Sequence, residues 1–301
     1  ATTGSYISAR PVNGATGFLA KFNNAGVRLW GTYICSYFFS SGQIIDNMTT
    51  DNANNVYVAG NSYANCASGT VGTHSQYPIA ANGINDIWLG KFSGSGSLMW
   101  ATFYGGQQED YASALAVANN GDVYLGGCTR SDTGIATSSG FRTVMRVFNT
   151  NQADGFIVKF NNIGKRVWGT YVGDTGYVFP YGNTNIISDI KVLNDKRIVL
   201  KMLACNVNLT SPHELVTPGA FQTTRNSTLD DVVAVLDTAG NRMWGSFLGG
   251  NNDESRWWSG FGHNTGNSLA ITDKYIYMAD ITVSTSMLAY GTSTFKSSIG
   301  G

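Results

Sequence analysis

The most constraining feature of this chain is a nine-residue frame that occurs four times without a gap. It reads FNNAGVRLW, FSGSGSLMW, FNNIGKRVW and LDTAGNRMW, and the copies end at Trp30, Trp100, Trp168 and Trp244. These tryptophans are 70, 68 and 76 residues apart, and self-similarity at a long, nearly fixed period is the signature of a repeat architecture. Each repeat is therefore expected to be built from the same supersecondary elements.

Each repeat predicts four short strands. In the second repeat, DIWLGKF and LMWATFY flank the turn SGSG, and ASALAVA and VYLGG flank the turn NNGD. The other repeats follow the same plan, which gives about sixteen strands. The 37 glycines, 15 tyrosines and 15 phenylalanines, against only five prolines, favour strands and tight turns over helices. An all-β fold follows.

The first strand of each repeat is apolar on both faces. Phe18, Ala20 and Phe22 alternate on one face, while Leu19 lies on the other. Both faces are therefore expected to be covered. A four-stranded antiparallel sheet packed between copies of itself and repeated radially is a blade of a β-propeller, whereas a two-sheet sandwich would leave one face polar. The pattern predicts a propeller, with a solenoid or a sandwich as the alternative.

We expect a single propeller domain over 1–301. Its modules run over about 1–72, 73–137, 138–216 and 217–291, and 292–301 begins a further module or forms a closing segment. In one interpretation NSLAITD and YIYMAD complete a blade with the first strands FLAKF and RLWGTY and close a four-bladed ring. In the other, the chain is a fragment of a larger ring. Unpaired edges promote aggregation, so closure or a missing remainder is expected.

Three stretches resemble one known family. DGFIVKFNNIGKRVWGTYVG, FYGGQQEDYASALAVANNGDVYLGG and TPGAFQTTRNSTLDDVVAVL are similar to the bacterial β-propeller repeats called SBBP, and the likeness recurs through nearly the whole chain. The resemblance implies a propeller of secreted or surface proteins of bacteria, often exported by the type IX route and mostly without an assigned activity. Two segments depart from the family pattern, ICSYFFSSGQ in the first module and RIVLKM in the third.

Composition excludes two classes of function. No run of 18 apolar residues could span a membrane, and no signal-peptide pattern opens the sequence. The formal net charge is zero and Lys and Arg do not cluster, so the footprint of a nucleic-acid-binding protein is missing. Cys35, Cys66, Cys128 and Cys205 allow three pairings into two disulfides, or they are buried free thiols, and their spacing fits no zinc site.

Loop lengths predict which side of the fold is functional. The turns after the first and third strands of each module are short, whereas the other connections are long, as in 61–85, 128–153 and 249–266. Because strands in a blade alternate in direction, the two kinds of connection lie on opposite faces, and loops of more than about 12 residues are usually functional or disordered. Function is expected on the long-loop face.

The long loops supply the candidate binding and metal residues. Aromatic rings and a histidine there can stack on a sugar or anchor a protein partner, or they plug the ring and pack between blades: Tyr37, Phe38, Phe39, Tyr177, Phe179, Tyr181, Trp257, Trp258, Phe261 and His263. Two acidic pairs in matching loops, Glu109/Asp110 and Asp253/Glu254, are candidate calcium ligands, with solvated carboxylates as the alternative. No other cofactor is expected. His74, His213 and His263 are candidate ligands of a three-histidine metal site.

Three functional classes remain open on the sequence. The leading hypothesis is an exported, non-enzymatic propeller that binds a glycan or a protein through its long-loop face. The chain also suits a structural spacer or an assembly component of a larger surface or secretion complex. A cation-dependent hydrolase or lyase on the same face is the third class, although no catalytic motif such as GxSxG or HExxH occurs.

Overall fold

The computed structural model describes residues 2, 6–9, 16–36, 44–63, 85–146, 153–173, 185–193, 196–206, 208–209, 213–254, 268–282 and 284–285. These residues form sixteen strands and contain no α-helix, so the all-β prediction is confirmed. The strands are β1 (Thr16–Phe22), β2 (Arg28–Ser36), β3 (Ile44–Thr50), β4 (Val56–Tyr63), β5 (Asn85–Phe92), β6 (Leu98–Tyr104), β7 (Asp110–Val117), β8 (Val123–Thr129), β9 (Asp154–Phe160), β10 (Arg166–Val172), β11 (Ile186–Leu193), β12 (Arg197–Cys205), β13 (Leu229–Asp237), β14 (Arg242–Leu248), β15 (Leu269–Ile271) and β16 (Ile276–Met278).

The strands make five antiparallel sheets in chain order. Three sheets have four strands each, β3–β6, β7–β10 and β11–β14, while the hairpins β1–β2 and β15–β16 are sheets of two strands. Each four-stranded sheet joins the last two strands of one sequence module to the first two strands of the next. A sequence module and a sheet are therefore not the same unit, because the ladder crosses the long connection, as in β8 with β9.

The short turns repeat one hydrogen-bond pattern. In the turn from Asn23 to Val27, the Asn23 side chain accepts hydrogen bonds from the backbone N–H of Ala25 at 3.0 Å and of Val27 at 2.9 Å. Gly26 adopts a φ of 78°, which only glycine reaches without strain. Asn161 and Asp237 begin the same arrangement in later modules. These turns lie at one edge of the sheets, the short-turn edge, as the sequence predicts.

Successive sheets pack face to face. One buried cluster joins β3–β6 to β7–β10 through residues such as Leu89, Tyr104, Leu125 and Phe160. A second cluster joins β7–β10 to β11–β14, and a third joins β1–β2 to β3–β6. In β9 both faces are buried, so the prediction of two covered faces is confirmed there.

A frame tryptophan connects each of the first three sheets to the next one. The indole Nε1 of Trp30, Trp100 and Trp168 donates a hydrogen bond of 3.0 Å to a backbone carbonyl in the short turn of the following sheet. The acceptors occupy the same turn position and are Gly94, Asn162 and Thr238. Two of the rings also cover their turns, since the Trp30 ring lies 2.8 Å from where a Cβ on Gly96 would stand and the Trp168 ring lies 3.3 Å from one on Gly240. The frame is therefore a structural contact between sheets.

The two-stranded sheets at the ends are only partly covered. Phe156 and Phe160 in β9 are fully buried, but Phe18 and Phe22 at the same positions in β1 are 72% and 58% exposed. Here the prediction of two covered faces is wrong, because no sheet lies against this side of β1 in the described part of the chain. At the other end, Ile276 and Tyr277 of β16 are exposed.

Candidate functional site

The predicted aromatic binding residues lie outside the described residues. They are Tyr37, Phe38, Phe39, Tyr177, Phe179, Tyr181, Trp257, Trp258, Phe261 and His263. The structure does describe the bases from which their loops leave, at the ends of the strands opposite the short turns. This long-loop edge is the candidate functional site, and it also carries the four predicted acidic residues.

The pair Glu109/Asp110 stands at the start of β7. Asp110 is buried and accepts hydrogen bonds from the Gly106 N–H at 2.7 Å, from the Ser131 hydroxyl at 2.9 Å and from the Thr129 hydroxyl. Burial raises the pKa of Asp110 to about 7, although these hydrogen bonds act in the opposite direction. Glu109 forms an ion pair with Arg130. The Asp110 carboxyl therefore fixes the loop that leads into β7.

The pair Asp253/Glu254 repeats this arrangement two modules later. Glu254 is buried and accepts hydrogen bonds from the Gly250 N–H at 2.6 Å and from the Ser284 hydroxyl, and Asp253 accepts from the Thr228 hydroxyl at 2.8 Å. The structure thus brings Asp110 and Glu254 to equivalent places, each bonded to the second glycine of a Gly-Gly pair. Among the described residues, no three His, Cys, Asp or Glu side chains converge as a metal site requires.

A second set of buried carboxyl groups, which the sequence analysis missed, faces the first glycine of those pairs. Asp86 and Asp230 stand near the starts of β5 and β13, opposite Gly105 and Gly249. A Cβ on Gly105 would lie 2.4 Å from the Asp86 carboxylate, and one on Gly249 would lie 2.3 Å from that of Asp230. The signal in the sequence is the Asp that recurs before the first strand of three modules, in DIW, DGF and DDV.

Asp86 and Asp110 form a pair of neighbouring carboxyl groups. Oxygens of both would lie within 2.7 Å of a Cβ on Gly105, and Asp86 Oδ1 is buried without a hydrogen-bond partner in the described part of the chain. Burial, and next the charge of Asp110, raise the pKa of Asp86 to about 8. Two carboxyl groups this close cannot both ionise cheaply, so the pair holds a proton near neutral pH.

The equivalent Asp154 is held by an arginine instead. Arg142 Nη2 lies 2.6 Å from Asp154 Oδ2, and Arg142 Nε lies 3.3 Å from Glu214 Oε1. Burial raises the pKa of Asp154 to about 7, and the guanidinium group opposes that shift. Arg142 and Gln222 occupy the same place in their modules, because each accepts a backbone hydrogen bond from the neighbouring strand at its carbonyl, from Tyr171 and Phe247 respectively.

His213 is buried at this edge as a neutral ring. Its Nδ1 accepts a hydrogen bond of 3.1 Å from the Leu215 N–H, and the ring packs edge-on against Phe247. Burial, and next the charge of Arg142, lower the pKa of His213 to about 3. Since Nδ1 already accepts a hydrogen bond, only Nε2 remains for any ligand. His74 and His263 lie outside the described residues.

A buried lysine connects the fourth sheet to the last hairpin. Lys201 of β12 forms ion pairs with Asp231 at 3.6 Å and with Asp280, which follows β16. Burial lowers the pKa of Lys201, while Asp231 acts in the opposite direction. Ala59 and Gly126 occupy this ladder position in earlier modules, so the lysine belongs to the third module alone. Its only signal in the sequence is a charge in the middle of the apolar stretch IVLKMLAC.

Two further groups bear on what the edge can do chemically. Cys128 and Cys205 are buried free thiols, and burial raises the pKa of Cys128 to about 12, so its thiolate is not available near neutral pH. Apart from Asp86, whose Oδ1 has no partner among the described residues, the carboxyl groups described above engage backbone N–H groups, hydroxyl groups, arginines or Lys201. The described side chains at this edge therefore serve to fix the polypeptide where the long loops begin and end.

Two comparisons with known proteins found no match. No protein-family model matches the chain, and no curated protein matches it. In the part of the chain that the structure describes, no helix is long and apolar enough to cross a membrane.

Proposed function

We propose that the chain is an exported or surface β-propeller, of the kind that the SBBP resemblance implies, and that it binds a protein or a glycan through its long-loop edge. The observation that carries this proposal is the difference between the two edges of the sheets. The short-turn edge repeats one hydrogen-bonded turn, whereas the long-loop edge supports connections that differ in length and sequence on a buried, hydrogen-bonded base. Variable loops on a rigid scaffold are the usual form of a binding surface.

The stacking of the sheets supports a propeller. The first strands of successive sheets, β3, β7, β11 and β15, are neighbours in that order, as the inner strands of blades are. The same Trp-to-turn bond joins the first four sheets in chain order, which gives those three interfaces the same relative placement. A two-layer sandwich does not repeat one interface in this way.

The contacts of the charged groups favour binding over catalysis. Asp110, Glu254, Arg142 and Asp154 form buried contacts with their own loops and strands, so they serve to position the polypeptide. The aromatic residues in the sequences of the long loops are then the groups with which a partner would make contact, since Trp and Tyr dominate the energetics of protein interfaces and of sugar stacking.

The test is a double substitution of the two consecutive tryptophans in the loop after β14. Trp257→Ala/Trp258→Ala is expected to abolish binding in a glycan array, or in a pulldown with the surface proteins of the source cell, and to leave the melting temperature unchanged. Tyr275→Ala is the matched control, because Tyr275 is an exposed aromatic residue in the short turn between β15 and β16. A double variant that binds like the wild type, or that loses binding only because it unfolds, would refute the proposal.

A structural role is the second candidate, and one observation favours it. Apolar side chains are exposed at both ends of the sheet stack, Phe18 and Phe22 at one end and Tyr277 at the other. Such surfaces mark contacts with other protein, so the chain also suits an assembly component of a larger surface complex.

A further inference from the structure

One donor and one acceptor of the repeated sheet-to-sheet bond are left over at the ends of the stack. Trp30, Trp100 and Trp168 donate to turn carbonyls of the following sheet. The remaining frame tryptophan is Trp244, and the remaining turn carbonyl is that of Asn24. In the described part of the chain neither takes part in such a bond.

Burial confirms that both groups are uncovered. Trp244 is 36% exposed, whereas Trp168 is 4% exposed. At the other end, no atom lies within 4 Å of where a Cβ on Gly26 would stand, although Gly96 in the equivalent turn is covered by an indole ring. The last full sheet therefore presents an undocked tryptophan, and the first hairpin presents an unoccupied turn.

The two end hairpins are also complementary as strands. Tyr57 pairs with Lys91, and Tyr124 pairs with Lys159, where the second half of a module meets the first half of the next. The same register would place Tyr277 of β16 opposite Lys21 of β1. Hairpins β15–β16 and β1–β2 would together make a fourth four-stranded sheet, in which Phe22 would gain the cover that Phe92 and Phe160 have.

We propose that the back surface of one molecule, which is Trp244, Ile276 and Tyr277, binds the front surface of a second copy of this chain, which is Phe18, Phe22 and the turn from Asn23 to Val27. A second copy is the occupant because, among the described residues, β1–β2 and β15–β16 of one chain lie in separate two-stranded sheets and form no ladder with each other. The inference rests on the stacking of the sheets and not on any ligand of the long-loop edge.

The contact would be head to tail, since it joins two different surfaces. Heterologous contacts of this kind build rings when the rotation closes and open filaments when it does not. Each copy adds the same interface that already recurs between the sheets within one chain. The assembly would therefore continue the stack, and its ladder would satisfy the open edges of β16 and β1.

Variants that disable one end at a time test the proposal. Phe18→Ser/Phe22→Ser removes the front surface, and Trp244→Ser/Tyr277→Ser removes the back surface. In sedimentation velocity the wild type is expected to gain mass with concentration, and each variant alone is expected to remain monomeric. An equimolar mixture of the two variants is expected to form a heterodimer and nothing larger, because each variant retains one intact surface. The altered side chains are exposed, so folding should be preserved, and circular dichroism checks this.

Cysteine cross-linking shows which molecule supplies the partner strand. Lys21→Cys/Tyr277→Cys, in a Cys35→Ser/Cys66→Ser background, is expected to give disulfide-linked oligomers under oxidation. The control Leu19→Cys/Tyr277→Cys shifts the register by two residues and should cross-link poorly. A disulfide within a monomer would overturn the proposal in favour of ring closure. A wild type that stays monomeric, together with a Lys21→Cys/Tyr277→Cys variant that does not cross-link, would overturn it outright. Neither result would bear on ligand binding by the long-loop edge, which the Trp257/Trp258 variant measures separately.

Discussion

The sheet β7–β10 and the hairpin β1–β2 are made from the same repeat, and yet their side chains are in different environments. Phe156 and Phe160 in the middle of the stack are fully buried, while Phe18 and Phe22 in the same ladder positions face solvent. The local structure is the same in both places, including the Asx-type turn and the glycine with positive φ. The comparison teaches that the repeat determines the strand and the turn, and that a neighbouring sheet determines whether the strand has a core.

The largest expected effect comes from deleting a phenylalanine in each of the two regions. Phe160→Ala should lower the free energy of unfolding by about 3–5 kcal/mol, because it leaves a cavity between two sheets. Phe22→Ala should cost less than about 1 kcal/mol, because its ring is already largely in water. Urea unfolding at low protein concentration measures both values. Equal losses at the two positions would mean that β1 is covered in solution as β9 is.

A smaller effect is expected at the glycines of two equivalent short turns, one covered by a tryptophan ring and one uncovered. Gly96→Ala and Gly26→Ala both force a side chain into a positive φ, at a cost of about 1–2 kcal/mol each. Gly96→Ala should cost about 1 kcal/mol more, because the new methyl group also displaces the Trp30 ring. The difference in stability between the two variants, from thermal or urea unfolding, therefore measures how much the docked Trp30 ring contributes. Identical losses would show that the docking contributes little to stability.

The two edges of the sheets are also distinguished by an expected pH dependence. The pKa of Asp86 is about 8 in the folded protein and near 3.8 in the unfolded chain, so the folded state holds a proton that the unfolded chain has released. Stability from this group is fully present below about pH 4 and is lost as the pH rises towards 8. Asp86→Asn should flatten the fall in melting temperature between pH 5 and about 8.

A carboxylate at the short-turn edge provides the matched control. Burial tends to raise the pKa of Asp51, but hydrogen bonds from Asn55 outweigh it and hold this pKa below its usual value. Asp51→Asn should therefore lower stability at neutral pH, and this loss should shrink in acid, where the wild type itself loses the contribution as the pH falls through that lowered pKa. It should leave the slope between pH 5 and about 8 intact. A wild-type melting temperature that is flat across this range would refute the protonated pair at Asp86 and Asp110.

The sequence predicts the strands and the short turns well, because both depend on local chemistry. The alternation in DGFIVKF and the Asn and Gly of NNIG determine a strand and a turn whatever the neighbours are. The sequence pattern does not predict that each four-stranded sheet joins the second half of one module to the first half of the next. The ladder of Val123 with Phe160 spans a long connection, and the same periodicity fits either grouping of the strands.

The candidate site is predictable only in part, for a physical reason. Glu109, Asp110, Asp253 and Glu254 were located from their matching spacing, and the structure places Asp110 and Glu254 in equivalent roles. Asp86 and Asp230 were missed because a repeated Asp before a strand resembles an ordinary turn residue, and its glycine partner comes from a distant part of the sequence. The aromatic loop residues stay a prediction.

The offset between modules and sheets has a consequence for the covalent chain itself. The connection between β8 and β9 joins two strands that are held together by seven ladder pairs, from Val123 with Phe160 to Thr129 with Asp154. If a protease cuts that connection, the two fragments still share one sheet, and each also shares a core with a neighbouring sheet. Because the strands on either side of the cut stay hydrogen-bonded in one sheet, a nicked molecule should remain assembled until a denaturant separates its fragments.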